Sequence, residues 1–128
     1  MPSTTTGARS TSLRRGDVVL VPFPYADLSS AKARPALVVS GKVFRVAEGR
    51  VIVAGITSNV AAHSGPASIE LLGWAAAGLQ RPSVVTSWLA TVDPRIILMR
   101  VGRLRPGDMR DVDKCLCAAL EIRPPMTA

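Results

Sequence analysis

The chain has 128 residues, 48% of them apolar, which suits one compact domain with a single core. It has 16 basic and 9 acidic residues, a formal net charge of +7, and thirteen of the basic residues are arginines. This excess of arginine favours an acidic partner, such as nucleic acid or an acidic protein segment. No apolar run approaches the ~20 residues that span a membrane, so no membrane segment is expected.

The predicted elements begin after residues 1–13, a polar tail rich in serine and threonine that we expect to be disordered. A first strand is predicted over 18–23, with prolines that suit a sheet edge or a strand end. A loop follows over 25–32. Strands at 36–40 and 50–56 are apolar on nearly every residue, which indicates that both faces of the sheet are covered. A helix or a second subunit must supply that cover.

The second half continues the pattern of short strands. Small and polar residues over 57–67 predict a loop, residues 73–82 form a connector, and residues 87–94 are predicted to form a short turn or a single helical turn. Between these segments, strands are predicted at 68–72, 83–86 and 96–104.

The last predicted element is an amphipathic helix from Pro106 to about Leu120. Pro106 suits its first turn, and Asp108 and Asp111 lie near the positive end of the helix dipole. The apolar residues recur at spacings of three and four and so form one stripe: Met109, Val112, Leu116, Ala119 and Leu120.

Cys115 and Cys117 lie on this helix, where they point to different faces and cannot form a disulfide with each other. We expect free thiols, which favour a reducing compartment, and no zinc or other metal site. The N-terminal residues lack the apolar core of a signal peptide. The sequence therefore predicts a cytoplasmic protein.

Six or so short strands and one C-terminal helix predict a mainly β (α+β) fold. We expect a strongly bent antiparallel sheet or barrel with the helix packed on it. The domain is predicted over residues 14–121, between the N-terminal tail of 1–13 and a short C-terminal tail of 122–128.

The most informative stretch runs from Gly16 to Ser40, where two apolar runs flank a polar loop that ends in Arg34-Pro35. Proline disfavours the helical region for the residue before it, so Arg34 should be extended, with its guanidinium directed from the start of the second strand toward the loop. That placement suits a phosphate. The alternative is an arginine that caps a loop carboxylate such as Asp27.

This stretch resembles the MazF/PemK (Kid) family of bacterial toxin endoribonucleases. Their first strand reads G-D-[VI]-V-x-V-x-[FL]-P, and their second opens with a basic residue, a spacer and R-P. The matching residues here are Gly16, Asp17, Val18, Val19, Val21, Phe23, Pro24, Lys32 and Arg34-Pro35. The resemblance continues in the family's order through ITS at 56–58, AGLQRPSVV at 77–85, LATVD at 89–93 and RVGRLRPGDMRDVD at 100–113.

The resemblance implies an SH3-like barrel of the kind found in the MazF/PemK and CcdB toxins, which work as homodimers. It also implies a toxin of a type II toxin-antitoxin system that cleaves single-stranded RNA with sequence selectivity, without a metal or other cofactor, and so inhibits translation and growth. In that reaction the ribose 2′-hydroxyl attacks the adjacent phosphorus and leaves a 2′,3′-cyclic phosphate and a 5′-hydroxyl.

Arg34 matches the catalytic arginine of the family, and Thr57 matches its second catalytic position. A permanently charged guanidinium suits stabilisation of the phosphorane, and a hydroxyl can donate one hydrogen bond to a non-bridging oxygen. Ser58 is expected to help bind the substrate. The alternative for Thr57 and Ser58 is ordinary turn chemistry, in which the hydroxyls bond nearby backbone.

The general base is unassigned. Asp27 in the first loop and His63, the only histidine, are the candidates. Thr86 and Trp88 stand where relatives often carry basic residues, and the later strand has no acid until Asp93.

Candidate substrate-binding residues surround Arg34 in the sequence or follow later. Lys32 supplies charge, while Tyr25 and Trp88 are candidate platforms for stacked bases. Phe23 is expected in the core, and Arg81 is expected to be solvated, although it could reach the same groove.

The expected partners are single-stranded RNA, a second copy of the chain and an acidic, MazE-like antitoxin, to which the net charge of +7 is suited. Two alternatives stay open. One is a toxin of the same fold that binds a protein such as DNA gyrase without catalysis, although the Arg-Pro and ITS elements argue against it. The other is a catalytically silent SH3-like module that binds RNA or protein.

Overall fold

The computed structural model describes residues 13–22 and 32–123, which contain one antiparallel sheet of six strands in the order β4-β5-β3-β2-β1-β6. The sheet curls into a half-barrel, and a C-terminal helix packs on it, which confirms the predicted fold class. The strands are β1 (Asp17–Pro22), β2 (Ala33–Val38), β3 (Val51–Thr57), β4 (Ile69–Glu70), β5 (Val84–Val92) and β6 (Met99–Arg103). The helices are α1 (Lys42–Glu48) and α2 (Pro106–Leu120), with single 3-10 turns at Val60–Ala62 and Pro94–Ile96.

The sheet is buried on both faces, as the unbroken apolar runs of β2 and β3 predict. One face packs within the curl of the sheet, through Leu13, Val19, Val21, Ala36, Val38, Val51, Val53 and Ile97. The other face is covered by α2 and by the connector between β4 and β5, through Val18, Leu37, Ala54, Ile56, Leu71, Ala77, Val85, Leu104 and Val112. Leu13, which the sequence assigned to the polar tail, is 1% exposed and belongs to this core.

Asp17 is a charged residue at the centre of this packing, because its side chain is completely buried. Its carboxylate accepts hydrogen bonds from the backbone N–H of Arg14 at 2.8 Å and from Nη1 of Arg103 at 2.7 Å, and Arg100 lies 3.4 Å away. Burying a carboxylate is costly unless such donors satisfy it. Because β1 carries Asp17 and β6 carries both arginines, the buried charge fixes one strand against the other.

The sequence prediction of a turn over 87–94 is wrong, since β5 continues to Val92. The register between β3 and β5 shifts around Gly55, which leaves its carbonyl outside the regular ladder. Thr86 compensates by donating its hydroxyl to that carbonyl at 2.9 Å and accepting the N–H of Trp88 at 3.2 Å. A β-bulge inside a long strand therefore lies where the predicted turn begins.

The expectation of a single helix is also wrong, because residues 42–48 form α1. This helix has no side-chain N-cap, buries none of its residues and ends at Gly49, which adopts the left-handed conformation at φ 66°. So short and exposed a helix leaves almost no apolar periodicity in the sequence. Arg45 ties it to the core by donating to the carbonyl of Leu13 at 2.8 Å.

The strand β6 is shorter than the predicted 96–104, because a 3-10 turn occupies Pro94–Ile96. Asp93 caps this turn by accepting the N–H of Arg95 at 2.9 Å. Side-chain hydrogen bonds from Arg95 hold the pKa of Asp93 well below its usual range, with help from Arg50. The turn is therefore stabilised by a charged carboxylate.

The two cysteines of α2 are free thiols, as predicted. Cys115 is buried, and its thiol lies 3.5 Å from the carbonyl of Pro66 and 3.9 Å from the hydroxyl of Ser87. These contacts join α2 to the loop after β3 and to β5.

Replacing Asp17 by asparagine tests the role of the buried charge. The amide keeps the shape of the side chain but removes the charge that Arg100 and Arg103 face. We expect the free energy of unfolding in urea to fall by about 2–3 kcal/mol, the range for hydrogen bonds to charged groups. Asp111→Asn, at an exposed position of α2, is the control and should change it little. Equal losses in the two variants would contradict this role.

Candidate functional site

A pocket of about 410 Å³ opens where β2 begins and β3 ends. Its first side, the strand wall, consists of Leu20, Arg34, Pro35, Ile56, Thr57 and Ser58. Its second side, the connector wall, consists of Gly78, Leu79, Gln80, Arg81 and Ser83, with Val101 of β6 behind it. The volume falls in the range of small-ligand sites, about 300–1,000 Å³.

The strand wall brings together Arg34 and Thr57, the two residues predicted to be catalytic. Ala36 of β2 and Gly55 of β3 form the last pair of this antiparallel ladder, and Arg34 and Thr57 each lie two residues beyond it at the same end of the sheet. Arg34 lies in β2, which begins three residues before the predicted 36–40; its backbone before Pro35 is extended as predicted, and it is half-buried. The two residues are 23 positions apart in the sequence, and both line the pocket.

Thr57 ends β3, and its hydroxyl oxygen accepts the backbone N–H of Asn59 at 3.1 Å. This is the turn chemistry that the sequence left open as an alternative. It does not consume the hydroxyl proton, because the oxygen is the acceptor in this bond. The hydroxyl is therefore oriented by the turn while it keeps a donor for a ligand in the pocket. Ser58, the next residue, is exposed and lines the same pocket.

The connector wall is held in place by close backbone packing and by a buried carboxylate. Gly78 adopts φ 89°, and a Cβ there would lie 2.6 Å from the carbonyl oxygen of Val101. A Cβ on Gly102 would collide with the carbonyl of Ala77. Asp108, 3% exposed, accepts the N–H of Gly73 at 2.9 Å. These contacts fix the connector against β6 and α2.

The other predicted site residues are not part of this pocket, or lie outside the described residues. Lys32 is exposed just before β2 and does not line the pocket. His63 and Trp88 form a separate edge-to-face pair, with ring centroids 5.0 Å apart and an interplanar angle of 81°. Tyr25 and Asp27, like Phe23, belong to residues 23–31, which the structure does not describe.

Sequence reasoning missed the contribution of the connector. Arg81, expected to be solvated but able to reach the same groove, is exposed and lines the pocket, while Gln80 and Ser83 also line it and were not predicted to. One signal was available, because Arg81 precedes a proline as Arg34 does. An arginine before proline is restricted to extended backbone in both places.

The described residues of the pocket carry two guanidinium groups and three hydroxyl groups but no carboxylate. Such a lining suits an anion, and the arginines suit the oxygens of a phosphate. Within 13–22 and 32–123, no group of three histidine, cysteine, aspartate or glutamate side chains is arranged to hold a metal ion.

Fold and pocket together define the class of protein: a small curled antiparallel sheet that carries an arginine-lined pocket at its strand ends. The model of the PemK-like, MazF-like toxins of type II toxin-antitoxin systems matches residues 14–120. The chain belongs to this family, which confirms the resemblance seen in the sequence. A comparison with curated proteins gives no match.

Solved structures with the same fold include three in which the match extends over almost the whole of the similar chain. A mycobacterial endoribonuclease in complex with its cognate antitoxin is 20% identical, with a TM-score of 0.68, covering 89% of this chain and 100% of that one. The Mycobacterium tuberculosis toxin MazF-mt6 is 22% identical, with a TM-score of 0.68 and coverages of 84% and 98%. MazF from Deinococcus radiodurans is 21% identical, with a TM-score of 0.66 and coverages of 86% and 97%.

In the described part of our chain, neither α1 nor α2 is long and apolar enough to cross a bilayer.

Replacing Gly102 by alanine tests how the connector wall is held. The added methyl group would push the connector away from β6, and we expect a loss of about 1–3 kcal/mol in the free energy of unfolding. Trp74 lies half-buried in the connector and is the only tryptophan left once Trp88 is replaced by phenylalanine. In that background, Gly102→Ala should change the fluorescence of Trp74.

Gly65→Ala is the matched control, because a Cβ at Gly65 meets nothing within 4 Å. If Gly102→Ala were as stable as Gly65→Ala, with unchanged Trp74 emission, the packing account of the connector wall would be wrong.

Proposed function

We propose that this protein is the toxin of a type II toxin-antitoxin pair and acts as a sequence-selective endoribonuclease that cleaves single-stranded RNA without a metal ion. The single observation that carries the proposal is that Arg34 and Thr57, from the ends of two neighbouring strands, line one pocket whose cations and hydroxyl groups suit a phosphate. Membership of the MazF-like family supports it. The printed descriptions of similar structures, among them mycobacterial endoribonucleases, support it as well.

The proposed reaction forms a bond between the 2′-oxygen and the phosphorus and breaks the bond from phosphorus to the 5′-oxygen. The 2′-hydroxyl loses its proton to a base, and the departing 5′-oxygen gains one. Negative charge builds on the non-bridging oxygens in between. The products are a 2′,3′-cyclic phosphate and a 5′-hydroxyl, and the proton that the 2′-oxygen loses is balanced by the one that the 5′-oxygen gains.

Arg34 stabilises the charge that builds on the phosphorane. Its guanidinium stays protonated at physiological pH, which makes it a poor base but a lasting source of positive charge and of several donors. A half-buried position strengthens that interaction relative to open water. Thr57 donates a hydrogen bond from its hydroxyl group to a non-bridging oxygen, and Ser58 binds the same phosphate group from the turn.

The proton acceptor is not among the pocket residues that the structure describes, since these include neither carboxylate nor imidazole. His63 packs against Trp88 outside the pocket, which weakens its case as the base. Asp27 remains the candidate within the chain. Because Trp88 also lies outside the pocket, it stacks on a nucleobase at a distance from the scissile bond. Lys32 and Tyr25, which precede Arg34 in the sequence, are further RNA-binding residues.

We further propose that the protein is a homodimer that an acidic, MazE-like antitoxin neutralises. Support for the dimer comes from the side chains of Ile96, Leu98 and Met99, which are 42%, 46% and 52% exposed and lie close together in the sequence, around the buried Ile97. Support for the antitoxin comes from the net charge of +7 and from similar toxins solved with their antitoxins. Light scattering that gives the mass of one chain would contradict the dimer.

Replacing Arg34 by alanine should abolish most of the cleavage. Purified protein is incubated with a long single-stranded RNA in EDTA, and initial rates are compared for wild type, Arg34→Ala and Thr57→Ala. We expect a loss of about 10²-fold or more in Arg34→Ala, as for the removal of one preorganised donor, and a smaller loss in Thr57→Ala.

Arg110→Ala is the control, because Arg110 is an exposed arginine of α2 that does not line the pocket. Equal rates in Arg34→Ala and Arg110→Ala would contradict the proposed role of Arg34. RNA binding by wild type without any cleavage would instead favour a catalytically silent binding module.

A glutamate-rich peptide should compete with RNA for the basic pocket. We expect it to displace a labelled RNA oligonucleotide, and to do so less well as salt screens the attraction. The control is the same peptide with its glutamates replaced by glutamine. If saturating acidic peptide left RNA binding unchanged, the charge-based account of antitoxin binding would be wrong.

A further inference from the structure

Arg81 is the second arginine of the pocket, and it has no acidic partner in the part of the chain that the structure describes. Six other arginines face an aspartate within salt-bridge distance: Arg15, Arg50, Arg95, Arg100, Arg103 and Arg105. Within 13–22 and 32–123, no carboxylate lies that close to Arg81, and the residue is exposed. Its charge is therefore available to a ligand.

The backbone that carries Arg81 is fixed. The buried Ser83 donates its hydroxyl to the carbonyl of Arg81 at 2.8 Å, and Pro82 restricts Arg81 to extended backbone. On the other side, Gly78 packs against Val101 at φ 89°, with room for no side chain. An arginine that projects from a fixed backbone loses less freedom on binding than one from a mobile loop. A merely solvated arginine would need none of these contacts.

We propose that Arg81 binds the phosphate next to the one that is cleaved, an inference that rests on the proposed endoribonuclease function. Arg34 is half-buried in the strand wall beside Thr57, whereas Arg81 is exposed on the connector wall. The scissile phosphate binds beside Arg34 and Thr57 on the strand wall, and the RNA continues from there toward the exposed connector wall. The neighbouring phosphate then meets the guanidinium of Arg81.

This assignment gives the two arginines different kinetic roles. Charge builds at the scissile phosphate only during the reaction, so loss of Arg34 lowers kcat. The neighbouring phosphate carries the same charge before and during the reaction, so loss of Arg81 weakens substrate and transition state equally. We expect Arg81→Ala to raise KM by about 10-fold with little change in kcat.

The test uses binding as well as cleavage. A fluorescent single-stranded oligonucleotide with 2′-O-methyl groups at every sugar has no 2′-hydroxyl to attack, so its binding can be followed by anisotropy without cleavage. For single strands, the slope of log K against log salt is about −0.7 for each neutralised phosphate. Arg81→Ala should reduce the slope by about 0.7, and Arg81→Lys should restore it.

Arg110→Ala is the matched control, since it removes the same charge from an exposed arginine that also has no ion pair among the described residues. It should leave the slope unchanged. Equal slopes for wild type, Arg81→Ala and Arg110→Ala would overturn the inference even if wild type cleaves RNA. A reduced slope only in Arg81→Ala, from a wild type that cleaves no RNA, would support the phosphate contact and contradict the proposed function.

A neutral linkage locates the contact. In an RNA that wild type cleaves, a methylphosphonate is placed at each linkage beside the cut in turn. We expect one of these positions to raise KM for wild type and to have no further effect on Arg81→Ala, because the two changes remove the same interaction. Fully additive effects at every position would show that Arg81 does not bind a neighbouring phosphate.

Discussion

The buried carboxylate of Asp17 joins the two strands on which both sides of the pocket depend. Asp17 lies in β1, whose pairing with β2 sets the position of Arg34. It binds Arg100 and Arg103 of β6, and β6 presents Gly102 to the connector. The strand wall and the connector wall are therefore held relative to each other through one ion-paired group. A buried charge with several donors resists displacement, because any shift of β6 would leave it unsatisfied.

The sequence predicts the strand wall better than the connector wall, and the difference is physical. Arg34 is placed by a local signal, the proline that follows it, and Thr57 by the end of an apolar strand. Arg81 is exposed, and its place in the pocket depends on the approach of Gly102 to the connector, which only the folded chain brings about. The turn predicted over 87–94 was wrong for a similar reason, since the bulge at the start of that segment depends on a hydrogen bond from Thr86 to the distant strand β3.

The chemistry of the pocket distinguishes among the functions that the fold permits. A toxin that only binds a protein such as DNA gyrase has no need for a pocket that pairs Arg34 with Thr57, and the described lining offers two guanidinium groups to an anion. A silent RNA-binding module would use the same cations. An enzyme differs from that module because it removes the proton of the 2′-hydroxyl. The described pocket residues include no carboxylate or imidazole that could accept this proton. The attacking 2′-hydroxyl is therefore the most direct point of test.

The decisive measurement is cleavage in EDTA of an RNA in which the single nucleotide that precedes the cut carries deoxyribose. The account predicts that the cut at this position disappears, while cuts elsewhere in the same RNA persist and leave 2′,3′-cyclic phosphate and 5′-hydroxyl ends. Arg34 and Thr57 would then act on a phosphate attacked by its own ribose. Continued cleavage at the deoxyribose position would contradict the account, because attack by water or by a protein group would not need the 2′-hydroxyl.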